Sequence, residues 1–246
     1  MNTTVPNMTA TTFISRTYRP SRKNVVPLIV LFFIVATSAT TAVAKDWPTY
    51  RHDNYRSGET DESLDAANLT LDWVWQSAQP PQTAWAGPAK WDAYNDIPRL
   101  NSMRNYDAAF HVAVAGDAVY FGSSADDAVR CLDARTGKER WRFTAGGPVR
   151  IAPTLSDGKV YFGSDDGTAY CLDGASGKLL WKFNARPDER LVINNGRLIS
   201  FWPVRTGVAV EDGTAYFCAS MLPWKRSYLC AVDAETGKVE DRKSVV

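Results

Sequence analysis

One unit recurs three times along this chain, with 41 residues from Phe121 to Phe162 and 55 residues, because of insertions, from Phe162 to Phe217. The first copy has Val-Tyr-Phe-Gly-Ser at 119–123 and Cys-Leu-Asp at 131–133, and the second copy has the same runs at 160–164 and 171–173. The third copy is less complete and begins with Ala-Tyr-Phe at 215–217. A unit of this length cannot bury its own apolar face, so its copies stack side by side. The recurrence therefore predicts a repeat protein in which each unit packs against the next.

Each unit reads as short strands separated by tight turns. The turns of the second copy are Ser156-Asp157-Gly158 and Asp165-Asp166-Gly167, because aspartate and glycine tolerate the positive φ that hairpins demand. The strands predicted between and around them are 150–155, 159–163, 168–172 and 178–183. No helical period competes with this pattern. Four antiparallel strands in a repeat of this length form the blade of a β-propeller, so we predict an all-β fold.

The end of each unit carries a family resemblance. The run Cys-Leu-Asp-Ala-x-Thr-Gly-Lys-x-x-Trp at 131–141 resembles the repeat of the pyrroloquinoline-quinone (PQQ) enzyme-like propellers. That family includes quinoprotein alcohol dehydrogenases and BamB-type outer-membrane assembly proteins. The resemblance covers residues 110–238 and implies that Trp141 and Trp181, on the fourth strands, dock between neighbouring blades. It indicates the fold rather than the chemistry, because one fold hosts many functions.

The third copy departs from the pattern at its last strand. Alignment on Gly137, Gly177 and Gly237 places Asp241 where the docking tryptophan is expected, and polar residues 242–244 follow. Three blades cannot close a ring, since propellers have four to eight. We therefore expect an incomplete ring, as in the N-terminal part of a longer propeller that is cut short or frame-shifted. The predicted segments are 1–44, 45–109 and 110–246, with blades at 110–146, 147–186 and 203–246.

Residues 1–44 have the features of a targeting segment. Four basic residues precede an apolar run at 25–36, and Ala42-Val43-Ala44 provides a small-x-small cleavage site before Lys45. Twelve apolar residues are fewer than the roughly 20 that span a bilayer. The sequence favours a cleaved secretory signal, and a membrane anchor within residues 25–44 is the alternative. Both place the repeats in an extracytoplasmic compartment, with membrane contact only through this segment.

The segment before the repeats is not a blade. Trp47-Pro48-Thr49-Tyr50-Arg51-His52-Asp53 resembles the entry motif of secreted PQQ-like propellers. Residues 69–76 read as one strand that completes the last blade of a closed propeller, with an apolar face left uncovered here. That face consists of Leu69, Leu71, Trp73 and Trp75. Residues 78–107, which include Trp85, Trp91 and Tyr94, predict a long insertion that packs onto the propeller or binds a sugar or cofactor.

The charge of the chain bears on its expected partners, and the positions of its cysteines bear on their expected state. The formal net charge is +1 with no basic tract, so nucleic acid is not an expected partner. Cys131 and Cys171 occupy the same position in successive units and predict buried free thiols. Cys218 and Cys230 fall on strands that a hairpin brings together, which leaves a disulfide open until the geometry is known.

No catalytic or metal-ligating set is visible in the sequence. His52 and His111 have no motif for nucleophilic catalysis around them. Asp126-Asp127 and Asp165-Asp166-Gly167 lack the further oxygen ligands of a calcium loop, so they are interpreted as hairpin turns. We assign no catalytic residue and no metal site.

Two arginines form the candidate ligand site. Pro148-Val149-Arg150 recurs as Pro203-Val204-Arg205, at the 55-residue offset that also separates Phe162 from Phe217. We therefore expect Arg150 and Arg205 at the start of the innermost strands of adjacent blades, at the mouth of the channel. Two guanidinium groups there can grip an acidic small molecule, for which PQQ is a candidate by resemblance only. In the alternative interpretation, each arginine bonds blade-end carbonyls or aspartates.

These observations favour a secreted or membrane-tethered binding or scaffolding module rather than an enzyme. The first alternative is a quinoprotein oxidoreductase, for which the resemblance implies PQQ, a calcium site and a catalytic aspartate in later blades. The second is an adaptor of BamB type, which offers a blade edge or face to a protein partner. The ligand and the partner are not identified by the residues themselves.

Overall fold

The computed structural model describes residues 45–63, 67, 69–84, 109–194, 196–221 and 226–245. Fourteen β-strands are the regular elements of these residues, which confirms the predicted all-β class. None of the described residues form a helix long and apolar enough to cross a membrane. The predicted targeting segment and most of the predicted insertion, including its three aromatic residues, lie outside the described residues.

Twelve of the strands form three antiparallel sheets of four strands each, in chain order. Blade 1 comprises β1 (Val112–Ala115), β2 (Ala118–Ser123), β3 (Ala128–Asp133) and β4 (Glu139–Thr144). Blade 2 comprises β5 (Thr154–Ser156), β6 (Lys159–Gly163), β7 (Thr168–Asp173) and β8 (Leu179–Asn184). A separate hairpin comprises β9 (Leu191–Asn194) and β10 (Arg197–Ser200). Blade 3 comprises β11 (Ala209–Glu211), β12 (Thr214–Ala219), β13 (Ser227–Asp233) and β14 (Val239–Val245).

Strand register shows that the three sheets are structural copies of one another. Cys131 lies opposite Trp141 in blade 1, Cys171 lies opposite Trp181 in blade 2, and Ala231 lies opposite Asp241 in blade 3. A register shift follows directly after each of these pairs. The alignment on the repeated glycines therefore places Asp241 at the correct structural position. The three blades do not close a ring within the described part of the chain.

One predicted strand begins later than expected. The sequence predicts an inner strand over 150–155, whereas β5 begins at Thr154, so Arg150 lies in the connection between blades. The residue before Arg150 is bound to blade 1 rather than to β6, because the Val149 N–H donates to Ser123 O. A Cβ on Gly122 would come within 2.5 Å of Val149 Cγ1, so the repeated glycine admits this connection. The placement of the arginine at a strand start was therefore wrong.

The core lies between the blades. Between blades 1 and 2 the buried side chains include Val129, Val149, Phe162 and Leu172. Between blades 2 and 3 they include Tyr161, Trp181, Phe217 and Val232. Alternation along each strand sends successive side chains to opposite faces, so a central blade contributes to both interfaces. Burial of these apolar faces against each other is the main stabilisation expected for stacked repeats.

The cysteines do not form a disulfide. All four are free, and Cys131 and Cys171 are buried as predicted. Cys230 lies opposite Phe217, whereas Cys218 lies opposite Leu229, so the two sulfur atoms point to opposite faces of blade 3. Burial raises the pKa of the Cys171 thiol to about 12. The buried thiols therefore act as small apolar side chains.

The entry segment runs beside the inner strands of all three blades. Trp47 exchanges two backbone hydrogen bonds of 2.8 Å with Val114 of β1. Further along, Thr49 Oγ1 lies 2.7 Å from Thr154 Oγ1 of β5, and Asn54 Nδ2 donates to Val210 O of β11 at 2.8 Å. This segment therefore ties the first strands of the three blades, β1, β5 and β11, to one another.

Candidate functional site

Each blade presents a receptor turn between its third and fourth strands. In blade 1, Asp133 Oδ1 accepts hydrogen bonds from the backbone N–H and the hydroxyl of Thr136, both at 2.8 Å. Asp173 and Asp233 make the same bonds to Ser176 and Thr236 in the other two blades. Hydrogen bonds from Arg140 and Thr136 hold the pKa of Asp133 well below its usual range. The turn is thus a fixed platform built from the repeated Asp-x-x-Thr/Ser-Gly sequence.

The two tryptophans singled out in the sequence meet these turns. Trp141 Nε1 donates to Gly174 O, and Trp181 Nε1 donates to Ala234 O, each at 2.9 Å. Each indole also covers the glycine of the turn, since a Cβ on Gly177 would lie 2.6 Å from the Trp141 ring. The indole of one blade therefore contacts the turn of the next through both an apolar contact and a hydrogen bond.

A third tryptophan makes the same contact from outside the blades. Trp73 Nε1 donates to Ala134 O at 2.9 Å, and its ring covers Gly137. Trp75 packs against Phe110 and Phe121. The sequence analysis did not give Trp73 this role, although Trp-x-Trp has the spacing of Trp-x-Phe at the end of blades 1 and 2. Residues 69–76 form no strand, so that prediction was wrong. Leu69 and Leu71 are exposed as expected, whereas Trp73 and Trp75 of the predicted uncovered face contact blade 1.

The far face of blade 3 lacks this arrangement. Asp241 takes the place of the tryptophan, is exposed, and pairs with Lys243 at 3.0 Å. Tyr216, equivalent to the buried Tyr120 and Tyr161, is also exposed. Within residues 226–245, no tryptophan is available to dock onto a following turn.

The two candidate arginines converge on one carboxylate from their own chain. Arg150 Nε donates to Asp165 Oδ2 at 2.8 Å. Arg205 donates to the same carboxylate in bidentate fashion, from Nε to Oδ1 at 2.7 Å and from Nη2 to Oδ2 at 2.8 Å. The Asp165 side chain is 1 % exposed. Binding of an external acid by these arginines stays a prediction, and the acid that they hold here is Asp165.

Asp165 was interpreted in the sequence only as a turn residue. The hairpin between β6 and β7 does contain that turn, and Gly167 has the expected positive φ of 85°. The carboxylate partners are 15 and 40 residues away in the chain. The alternative interpretation of the sequence, in which the arginines bond an aspartate, is thus confirmed, although no local pattern identified Asp165 as that aspartate.

The β9–β10 hairpin lies between blades 2 and 3 in the chain, and one of its faces is apolar and exposed. Leu191, Ile193 and Leu198 are 48 %, 77 % and 64 % exposed, and Ile193 lies directly opposite Leu198. On the other face Ile199 is buried. Arg197 pairs there with Asp127 of blade 1 and donates to Ala125 O at 2.8 Å. The sequence analysis missed this hairpin, although Asn-Asn-Gly at 194–196 between apolar runs is a turn signal.

The acidic turns of blade 1 are engaged in ion pairs. Asp126 pairs with Arg130, and Asp127 pairs with Arg197 of the inserted hairpin. Burial raises the pKa of Asp127, and the Arg197 charge opposes this rise. In the described ranges, no three His, Cys, Asp or Glu side chains are grouped so that they could hold a metal ion.

Comparisons with known proteins agree with this geometry. The family model described as outer membrane protein assembly factor BamB matches residues 74–245. No curated protein matches the chain.

Among solved structures, quinohemoprotein alcohol dehydrogenase from Comamonas testosteroni is 22 % identical, with a TM-score of 0.62 over 85 % of this chain and 28 % of its own. A second quinohemoprotein alcohol dehydrogenase, from Pseudomonas putida HK5, is 24 % identical over 55 % of this chain, with a TM-score of 0.46. BamB from Moraxella catarrhalis is 16 % identical over 55 % of this chain and 60 % of its own, with a TM-score of 0.30. This chain spans only 28 % and 20 % of the two dehydrogenases. The Comamonas protein therefore indicates a shared propeller fold and nothing about activity.

Proposed function

The chain belongs to the family of PQQ-like repeat propellers described as outer membrane protein assembly factor BamB, and we propose that it acts outside the cytoplasm as a module that binds another protein. The proposed contact surface is the outward face of the β9–β10 hairpin, defined by Leu191, Ile193 and Leu198. A propeller with this surface has the role of a scaffold. The quinoprotein alternative requires instead a bound cofactor and an oxidation reaction.

The observation that carries the proposal is the contrast between the two faces of the hairpin. The inner face is fixed to blade 1 by Arg197, whereas the three apolar side chains of the outer face stay exposed. Burial of apolar surface stabilises a complex by about 25 cal/mol for each Å² removed from water. A hairpin that is already fixed loses little further conformational freedom when it binds. The arrangement therefore supports recognition of an apolar surface on a partner protein.

Photo-crosslinking in the source organism tests this proposal. A photoreactive amino acid in place of Ile193 should yield a discrete adduct with one partner protein. Leu191→Asp combined with Leu198→Asp should reduce that adduct at least tenfold, because the charges oppose burial of the hairpin face. Since both leucines are exposed, the double variant should unfold at the same denaturant concentration as the unmodified chain.

The matched control places the same photoreactive group at Lys182, an exposed position on β8 of blade 2 rather than on the hairpin. Equal adducts at 182 and 193 would contradict a specific hairpin surface. Reduction of an artificial electron acceptor by the full chain, on addition of PQQ, calcium and an alcohol, would favour the oxidoreductase over the binding module.

Export is a separate expected result. The basic residues, the apolar run at 25–36 and the small residues before Lys45 should direct cleavage by signal peptidase. Mass spectrometry of the extracytoplasmic fraction should find a mature N-terminus at Lys45. Ala44→Arg removes the small residue at the cleavage point, so this variant should retain Met1. An unmodified chain with an intact Met1 in the membrane fraction would favour the anchor, and a cytoplasmic pool would contradict export.

A further inference from the structure

We propose that Arg150 and Arg205 form a carboxylate clamp whose ligand is Asp165 of the same chain. In this view the clamp is a closed latch that joins successive blades, rather than a binding site for an acidic cofactor. This inference is independent of the partner protein and rests on the described residues alone.

Both oxygens of the Asp165 carboxylate accept hydrogen bonds from the arginines. Three N–H groups of the two arginines donate to the two oxygens of Asp165, at 2.7–2.8 Å. The Arg150 side chain is nearly as buried as the carboxylate. Charge-assisted bonds of this length, with one bidentate pair, are the strong class of protein hydrogen bonds. Among the described residues, no buried polar atom without a partner belongs to this cluster.

The three residues of the clamp lie in three different segments around blade 2. Arg150 lies in the connection that enters blade 2, Arg205 lies in the connection that leaves it, and Asp165 lies in the hairpin between β6 and β7. The backbone of Asp165 joins the same connections, since its N–H donates to Pro148 O at 2.9 Å and its carbonyl accepts from Ser200 N–H at 2.8 Å. One residue therefore holds both connections through its backbone and its side chain.

The latch also reaches the N-terminal segment. Arg150 Nη1 donates to Gln82 O at 2.6 Å. The Gln82 N–H in turn donates to Ser124 Oγ, just after β2 of blade 1, at 2.9 Å. The cluster thus links four segments that are distant in sequence. Such a position is expected for a residue that sets how neighbouring blades sit against each other.

The residues present do not fit an acidic cofactor as a ligand of these arginines. A free carboxylate would have to displace one that the fold holds in place, and a tethered ligand competes at a far higher effective concentration than one in solution. Both arginines donate to the Asp165 carboxylate, so removal of Asp165 would take away the anion that these two buried or partly buried cations share. A vacant clamp of this kind should accept a small carboxylate from solution.

The test uses the full chain with Asp165→Ala and formate as the probe. Formate should raise the Tm of this variant in a saturable way, by about 3–6 °C at a concentration about tenfold above its Kd, relative to equal sodium chloride. The unmodified chain should show no such difference between formate and chloride. Asp166→Ala is the matched control, because Asp166 lies in the same hairpin and bonds Tyr170 and Gly146 rather than an arginine. It should respond as the unmodified chain does.

Several results would overturn the proposal. One is a folded Asp165→Ala chain that responds alike to formate and chloride, and another is an equal formate response in the unmodified chain. If Asp165→Ala does not fold in chloride, then formate should raise its refolding yield severalfold. In that case the triple variant Arg150→Met, Asp165→Leu and Arg205→Met should also fold, because it removes both cations together with the anion that they share. If formate does not raise the refolding yield and the triple variant also does not fold, the proposed role of Asp165 as the ligand of the clamp is contradicted.

Discussion

Replacement of Trp181 by alanine should lower the free energy of unfolding by about 3–5 kcal/mol, the range for removal of a buried large aromatic side chain. The indole is 8 % exposed and lies in the core between blades 2 and 3. Its Nε1 donates to Ala234 O, and its ring covers Gly237. The substitution therefore removes apolar contacts and one of the two hydrogen bonds that Ala234 O accepts, the other being from the Tyr161 hydroxyl at 3.2 Å. Urea denaturation of the full chain, followed by circular dichroism, measures the loss.

Two further variants serve as controls for the loss of stability in Trp181→Ala. Tyr55→Ala removes an aromatic side chain that is 88 % exposed, so it should change stability by less than about 0.5 kcal/mol. Trp181→Phe keeps an aromatic ring but removes the donor, so its loss should fall between the other two. A loss below about 1 kcal/mol for Trp181→Ala would show that the indole does not hold the blades together.

Asp165→Ala should cost about as much, roughly 3–5 kcal/mol, because removal of one partner leaves buried charge uncompensated. Arg150 is buried, and Arg205 keeps only a fifth of its side chain exposed. The neighbouring Asp166→Ala should cost less, because that carboxylate is partly exposed and accepts hydrogen bonds without an ion pair. The same denaturation experiment compares the two variants directly.

The triple variant at positions 150, 165 and 205 separates charge from packing. Since buried ion pairs are replaced by apolar residues at little net cost in other proteins, this variant should be more stable than Asp165→Ala alone. Equal losses for Asp165→Ala and Asp166→Ala would contradict the special position of Asp165. A triple variant less stable than Asp165→Ala would mean that the arginines stabilise the fold without their carboxylate.

The blades could be predicted because their signals are local. Asp157 and Gly158 adopt positive φ values of 48° and 72°, as the turn interpretation requires. The paired strands β5 and β6 directly flank this turn. The recurrence of the same turn chemistry in three copies then predicts stacking, because no copy can form a core alone. The docking role of Trp73 could also have been predicted from the sequence, because Trp73 and Trp75 have the same spacing as Trp141 and Phe143.

The carboxylate that the two arginines share and the state of Cys218 and Cys230 could not be predicted, because they depend on distant contacts and on register. Arg205 and Asp165 are 40 residues apart and meet only when the connections of two blades fold over one hairpin. Cys218 and Cys230 lie on paired strands, but a shift of one residue in register decides whether their side chains share a face. Arg150 was expected at the start of a strand over 150–155, whereas the close approach of Val149 to Gly122 holds it in the connection between blades.

Titration of the full chain with PQQ in the presence of calcium, followed by calorimetry, tests the central claim most directly. The claim is that the arginine pair is closed by Asp165 and that the chain is a binding module rather than a cofactor-loaded enzyme. We predict no saturable binding of PQQ to the unmodified chain, because the clamp already holds a carboxylate at 2.7–2.8 Å. Saturable one-to-one binding that is lost in a folded Arg150→Ala, Arg205→Ala double variant would contradict the claim.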